Sequence, residues 1–326
     1  MKAVVYTRYG PPDVLELKEV PKPVPKNNEV LIKIHATTVN RTDCGFRKPE
    51  YGFIIRLVNG LFRPRRKILG SELAGEVEAA GQDVKAFKQG DQVFGLSAGK
   101  FGAHAEYICL PEKGSIAIKP ANMSSEEAAA VCDGLMMATA FMRKIDFQRS
   151  KKILINGASG SIGSACVQLA MYYGAEITAV CDTKNIELAR SLGAARVIDY
   201  ATDDFADDHQ VYDVVIDAVG KSSFFRCRKL LRPGGVYFST DLGFLAQNIF
   251  LALGTPFFSR RKVKFAIPKD SQKDIEFFRQ LIEAGRYRAV IDRCYPLDQI
   301  VEATQYVETG QKTGNVVIRV SSERGS

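Results

Sequence analysis

The chain of 326 residues contains no tryptophan and only three histidines, His35, His104 and His209. Each histidine stands alone in sequence, so none is expected to ligate a metal; His35 reads as a strand residue, the other two as surface residues. Seven cysteines (44, 109, 132, 166, 181, 227, 294) are scattered singly, with no C-x-x-C pair. That spacing excludes a disulfide framework and a zinc ribbon, and it is the usage of a reducing, cytoplasmic compartment. No run of about 18 apolar residues is present, so no membrane-spanning helix is expected. The opening Met-Lys-Ala-Val-Val-Tyr turns polar too soon for a signal peptide and reads as a strand. Net charge is +8 with pI near 9.0. The densest basic run, Arg63-Pro-Arg-Arg-Lys67, has no interleaved aromatics to stack bases and reads as a solvated loop rather than a nucleic-acid site.

What is present suffices for two domains, with 46% hydrophobic residues and no low-complexity tract. The organising stretch is Lys152-Ile-Leu-Ile-Asn-Gly-Ala-Ser-Gly-Ser-Ile-Gly163. Ile153 to Asn156 read as a buried parallel strand. Gly157, Gly160 and Gly163 follow, and then apolar residues at helical spacing (Ile162, Ala165, Cys166, Leu169, Tyr173) up to Gly174. Strand, glycine turn and helix in this order form a phosphate cradle. The first glycine allows a tight turn. The second, read as needing positive φ, leaves no Cβ in the path of a pyrophosphate, and the third lets helix and strand pack closely. The spacing is G-x-x-G-x-x-G, and an ordinary strand-to-helix turn is the competing reading.

Before this stretch, residues 1–121 are strand-like and turn-rich: Val4–Thr7, Leu15–Val20, Glu29–Val39, Leu73–Ala80, Gln92–Leu96 and Ala105–Leu110. They predict a β barrel or sandwich, with residues 41–68 as a long loop or short-helix insertion. Ser124 with Glu127 marks a helix start, followed by a second apolar segment, Met136–Ile145. Strands and helices then alternate: Ile177–Cys181, Asn185–Leu192, Arg196–Asp199, Val214–Asp217, Ser222–Leu231, Gly235–Ser239 and Lys262–Ile267. This predicts a parallel, doubly wound sheet over 122–268. The apolar stretch Leu242–Phe258 reads as core or subunit interface. Residues 269–326 supply a helix at Gln272–Ala284, a strand at Ala289–Tyr295, another helix and a strand at Asn315–Val320. With no partners nearby, these strands are expected to return to the first β domain.

Taken together the motifs resemble the zinc-independent branch of the medium-chain dehydrogenase/reductase superfamily, the quinone-oxidoreductase-like proteins. The carriers are His35-Ala-Thr-Thr-Val-Asn-Arg-Thr-Asp43, Gly70-Ser-Glu-Leu-Ala-Gly-Glu-Val77, Gly90-Asp-Gln-Val-Phe-Gly95, Gly102-Ala-His-Ala-Glu-Tyr107 and the Gly157–Gly163 turn. Further on come Ala189-Arg-Ser-Leu-Gly-Ala194, Val197-Ile-Asp-Tyr200, Asp217-Ala-Val-Gly220, Leu231-Arg-Pro-Gly-Gly235, Val290-Ile-Asp292 and Gly314-Asn-Val-Val317. The resemblance implies an α/β fold, a Rossmann doubly wound parallel sheet inserted into a GroES-like β domain, with the cofactor in the cleft between them.

It also implies the site. Zinc-using relatives carry a cysteine where this chain has Asn40 and a histidine where it has Ser71, and a structural zinc lobe where it has only Cys109, so no zinc is expected. Without that Lewis acid, hydride from a reduced nicotinamide is expected to go to an activated acceptor, a quinone or an α,β-unsaturated carbonyl. Asn40 is the candidate to orient the nicotinamide or bind the acceptor carbonyl, against the reading of a structural loop asparagine. Asp43 and Tyr51 are candidates to line the pocket. Cofactor contacts are carried over to Gly157, Ser159, Gly160, Ser161, Ile162, Gly163, Asp182, Thr183, Lys184, Tyr200, Ala218, Val219 and Asn315. Asp182 suits the ribose 2′-hydroxyl of NAD, whereas Thr183 and Lys184 suit the 2′-phosphate of NADPH. NADPH is the expectation and NADH the alternative. The expected protein is a cytoplasmic homodimer acting on a small molecule. An enoyl-thioester reductase, or a cofactor-binding protein without turnover, remains as the other reading.

Overall fold

The computed structural model describes residues 1–49, 53–97, 99–241, 243, 246–269 and 271–320. In chain order the strands and helices begin with β1 (Lys2–Val5), β2 (Glu16–Glu19), β3 (Glu29–Val39), α1 (Arg41–Arg47), α2 (Phe53–Asn59), β4 (Glu72–Ala80), β5 (Gln92–Leu96), β6 (Tyr107–Pro111) and β7 (Ser115–Ile118). The middle of the chain supplies α3 (Ser125–Ala129), α4 (Cys132–Met142), β8 (Lys152–Asn156), α5 (Ser161–Tyr172), β9 (Glu176–Cys181), α6 (Ile186–Ser191), β10 (Arg196–Asp199), β11 (Tyr212–Asp217), α7 (Phe224–Cys227) and β12 (Leu231–Ser239). The last third holds α8 (Gln247–Phe258), β13 (Lys262–Val263), α9 (Gln272–Glu283), β14 (Ile291–Pro296), α10 (Ile300–Glu308) and β15 (Asn315–Arg319).

Two compact units result, one of Met1–Asp133 with Asp270–Ser326, the other of Gly134–Lys269. The segment limits read from the sequence, 121/122 and 268/269, lie apart from these divisions at the first junction, because α3 packs on β3 and β4. In the first unit a seven-stranded sheet runs β14-β15-β3-β4-β5-β7, with β6 on β3. β15 pairs antiparallel with β3, Val317 opposite Thr38. The tail strands do return to the first β domain, and α10 explains why they must. Its Ile300, Ala303 and Val307 share a buried cluster with Val39, Val316 and Ile318. Alone, this tail would leave that apolar face in water.

The second unit is a six-stranded sheet, β10-β9-β8-β11-β12-β13, in which each neighbouring pair is parallel. From β8 the chain builds outward through β9 to β10, then restarts at β11 on the other side of β8. The carboxyl ends of β8 and β11 therefore flank a topological switch point, where ligands bind in such sheets. Leu154, Val180, Val215 and Tyr237 carry its buried core. Several elements depart from the sequence expectation: β7 was not expected, and of the helix Ser222–Leu231 only Phe224–Cys227 is α-helical, Leu231 opening β12 instead. β13 keeps two residues rather than Lys262–Ile267, and Ile267 is solvent-exposed. Of the stretch Leu242–Phe258, residues 242, 244 and 245 lie outside the described residues; Gln247–Phe258 forms α8, which is not core on its outer side.

Candidate active site

The turn after β8 fulfils two of its three glycine roles by steric necessity. Gly157 has φ +80°, and a Cβ there would stand 2.3 Å from Val219 Cγ1, so the β8 and β11 loops touch at this point. At Gly163 a Cβ would lie 2.0 Å from the Gly157 carbonyl oxygen. Gly160 differs from the sequence reading: its φ is −76° and ψ 174°, extended backbone open to any residue. Only the Gly157 oxygen, at 3.5 Å, would lie near its Cβ. Gly160 is thus glycine for the space in front of it, not for backbone strain.

Gly160 also caps α5 without a side-chain hydrogen bond. The first N–H groups of α5, on Ser161, Ile162 and Gly163, then face outward with the positive end of the helix dipole. Ser161 Oγ is buried with no hydrogen-bond partner. An orphaned donor beside unsatisfied amides is the arrangement an anion completes, so these residues fit a dinucleotide pyrophosphate. Ser159 is half-buried in the same turn.

Around the ends of β9 and β10, Asp182, Thr183, Lys184, Asp199 and Tyr200 form one polar group. Lys184 Nζ lies 3.8 Å from Asp182 Oδ2. Thr183 Oγ1 donates to Asp199 Oδ2 at 2.5 Å. Asn185 Nδ2 donates to Asp182 Oδ1. Both residues suited to a 2′-phosphate are therefore engaged with carboxylates. Asp199 was not among the sequence candidates, although the motif Val197-Ile-Asp-Tyr200 contains it. After β11, buried Asp217 accepts from Asn156 Nδ2 at 3.0 Å and from the Ser222 N–H at 2.8 Å. It thereby fixes the Ala218–Val219 loop, leaving Val219 partly exposed.

The first unit holds Asn40, Asp43 and Asn315. Asn40 caps α1: its Oδ1 accepts the Asp43 N–H at 3.0 Å while Asp43 Oδ2 accepts the Asn40 N–H at 3.0 Å. This reciprocal box explains why the α1 start is so well defined. Asn40 Nδ2 donates to Ser71 Oγ at 3.0 Å. Asp43 is buried, its Oδ1 accepting the Gly70 N–H at 2.9 Å, so it positions backbone. His104, expected at the surface, is in fact buried at 2% exposure. Its Nε2 lies 2.8 Å from the Thr38 carbonyl, which requires a proton on that nitrogen, and 3.9 Å from Asp43 Oδ2. Burial raises the Asp43 carboxyl above its ordinary range, against the lowering effects of His104 and the two N–H donors. Asn315 Nδ2 donates to the Val290 carbonyl at 3.1 Å, within its own unit. Tyr51 lies outside the described residues.

Residues 26–120 match the family description "Alcohol dehydrogenase GroES-like domain" and residues 192–318 match "Zinc-binding dehydrogenase". The chain is 35% identical to the 2-methylene-furan-3-one reductase of Solanum lycopersicum, over 98% of this chain and 79% of that protein. It belongs to the quinone-oxidoreductase-like branch of the medium-chain dehydrogenase/reductase superfamily. The NADPH-dependent alkenal/one oxidoreductase of Arabidopsis thaliana is 31% identical over the same shares. The solved quinone oxidoreductase from Coxiella burnetii superposes with TM-score 0.87 at 27% identity, covering 98% of this chain and 99% of that one.

Within the superfamily, the pair Asn40–Ser71 stands apart from the description "zinc-binding". An amide and a hydroxyl bonded to each other supply neither thiolate nor imidazole, so these residues do not fit a catalytic zinc. Beside them lies a group the sequence reading missed. Glu72 Oε1 accepts the Asp133 N–H at 2.7 Å, its Oε2 accepts from Thr38 Oγ1, and half-buried Lys312 lies nearby. Burial first, then each other's charge or that of Asp43, holds Glu72 and Asp133 above the ordinary carboxylate range, while burial lowers Lys312. A glutamate inside the apolar run Leu69–Val77 was the one signal for it.

Proposed function

We propose that this chain is a zinc-independent NAD(P)H-dependent reductase of quinones or α,β-unsaturated carbonyls, with residues 134–269 binding the cofactor and the remainder binding substrate. The observation that carries this reading is the uncapped amino end of α5, open at Gly160. Bound there, a reduced nicotinamide supplies the hydride. The α5 amides and Ser161 Oγ hold the pyrophosphate, and Asp182, Thr183, Lys184 and Tyr200 receive the adenosine ribose. NADPH is the preferred cofactor in this proposal, with Lys184 turning from Asp182 to the 2′-phosphate, and NADH is accepted as well. That preference draws support from the NADPH-dependent relative.

In the other unit the Asn40 amide carries a second N–H beyond the one given to Ser71. That donor binds the acceptor carbonyl oxygen and stabilises the enolate that forms when hydride adds at the β-carbon. The α-carbon then takes its proton from solvent. Asp43 keeps Asn40 in place through the reciprocal hydrogen bonds of the α1 cap. A cytoplasmic homodimer completes the proposal, checked by light scattering and cell fractionation.

The test is loss of reduced-nicotinamide absorbance with a panel of quinones, enals and enones, with NADPH and with NADH. Turnover of at least one such acceptor, lowered about tenfold or more in kcat by Asn40→Ala through loss of one charge-assisted donor, is the expected result. Cofactor protection against thermal unfolding with no acceptor turned over would instead favour a cofactor-binding protein without catalysis.

A further inference from the structure

The twelve residues of α8 are apolar on both sides. Its inner face, Asn248, Leu251, Ala252 and Thr255, packs toward the core of the second unit, and Thr255 Oγ1 accepts the Val263 N–H at 2.9 Å. The opposite face presents Phe250 at 70%, Leu253 at 69% and Phe257 at 81% exposure, with Phe258 beyond at 91%. A helix apolar all round calls for cover on both sides, and a run of bulky exposed side chains of this kind marks a docking surface. The helix is too short to cross a bilayer, because twelve residues rise only about 18 Å.

The chain segment that carries it has charge of one sign. Residues 246–269 contain five lysines and arginines (Arg260, Arg261, Lys262, Lys264, Lys269) and no aspartate or glutamate. Where α8 ends, a hollow of about 500 Å³ is lined by Phe224, Arg228, Lys229, Ser259 and Arg261. Lys229 is paired with Asp207 at 2.7 Å, and Arg261 Nε donates to the Leu231 carbonyl at 2.6 Å. The side chains of Arg228, Arg260 and Lys262 make no hydrogen bond or ion pair among the described residues. Lys264 is held below its ordinary range by burial and then by Lys144 and Lys262, so the cations here press on one another.

We propose that α8 and this basic rim dock on an anionic lipid surface, the helix lying in the interfacial plane with Phe250, Leu253 and Phe257 inserted and the headgroup phosphates taken by the cations. A helix seated in this way adds the apolar area it buries to the attraction between its flanking cations and anionic headgroups. A second copy of this chain is the poorer occupant. In a two-fold contact each patch meets itself, so the unneutralised cations of one copy would face those of the other. The inference is independent of the reductase reading, since no residue of α8 or of its rim is among the side chains named for cofactor or acceptor contact.

Co-sedimentation of the purified chain with vesicles tests it, using phosphatidylcholine alone and phosphatidylcholine mixed with phosphatidylglycerol. The expected result is binding to the mixed vesicles only, reversed by added salt. Phe250→Ser with Phe257→Ser should weaken that binding at least about tenfold by removing inserted aromatic area. Arg228→Gln, Arg260→Gln and Lys262→Gln together should weaken it roughly a hundredfold. Thermal midpoint and NADPH protection serve as folding controls for both variants. Failure of the parent to sediment with anionic vesicles would overturn the proposal, as would equal, salt-insensitive binding to neutral ones. A drop in solution mass for the Phe250→Ser, Phe257→Ser variant would also overturn it, since a second copy would then be what covers α8.

Discussion

Three glycines spaced three apart in one turn, Gly157, Gly160 and Gly163, answer to three different constraints, and single substitutions separate them. Gly160→Val should leave the melting temperature nearly unchanged, because its backbone is extended and its Cβ direction is open. The same variant should lose protection by NADPH, since two methyl groups would stand where the pyrophosphate approaches. Undiminished protection in thermal-shift titration would place the cofactor elsewhere. Gly157→Ala does the reverse. With φ +80° and Val219 Cγ1 2.3 Å from the new Cβ, it should destabilise the fold by about 1–3 kcal/mol.

The buried carboxyl group of Glu72 gives a second prediction at this scale. Its folded pKa is raised above the ordinary 4.5 by burial. The native state therefore holds the proton where the unfolded chain has released it. That contribution to stability is complete below about pH 4.5 and is lost as pH rises toward the raised value. Glu72→Gln is a neutral isostere that can still accept the Asp133 N–H and bond Thr38. Relative to the parent it should gain stability progressively from acid pH through neutrality, each unit of upward shift being worth about 1.4 kcal/mol. Parallel melting curves across pH would refute this.

Among elements, the segment following β9 decides the cofactor question. Its lysine and threonine are exposed, yet each already lies beside a carboxylate, so a 2′-phosphate must compete with Asp182 and Asp199. Lys184→Ala should weaken NADPH by about tenfold and NADH hardly at all, because a charge-assisted contact is lost only for the phosphate. Asp182→Ser should shift preference further toward NADPH, and less so at high salt. Titrating both cofactors against both variants measures this, and equal losses for Lys184→Ala would remove it from the 2′ subsite. Much of this element was legible. β9 and the acid–hydroxyl–lysine order could be read directly, because strand and turn chemistry are local. Asp199 could not, since it reaches Thr183 only once β10 lies beside β9.

For the whole molecule, the pair Asn40–Ser71 predicts less than one zinc per ten chains by elemental analysis, and a melting temperature unmoved by chelators. One zinc per chain would refute the assignment. The alternation of strands and glycine turns, the strand, turn and helix of β8–α5, and the return of the tail to the first sheet all followed from sequence alone, being set by periodicity, turn residues and apolar faces needing partners. Asn40 and Ser71 could be named together only through the family resemblance, from the motif each sits in. Tertiary structure alone decided the rest. It buried His104 against the Thr38 carbonyl, brought Glu72, Asp133 and Lys312 together from distant parts of the chain, relieved Gly160 of positive φ and turned the outer face of α8 to solvent. Those outcomes depend on which surfaces meet and how closely, and a pattern along the chain, which records polarity at each position, does not encode the distance between two positions far apart in it.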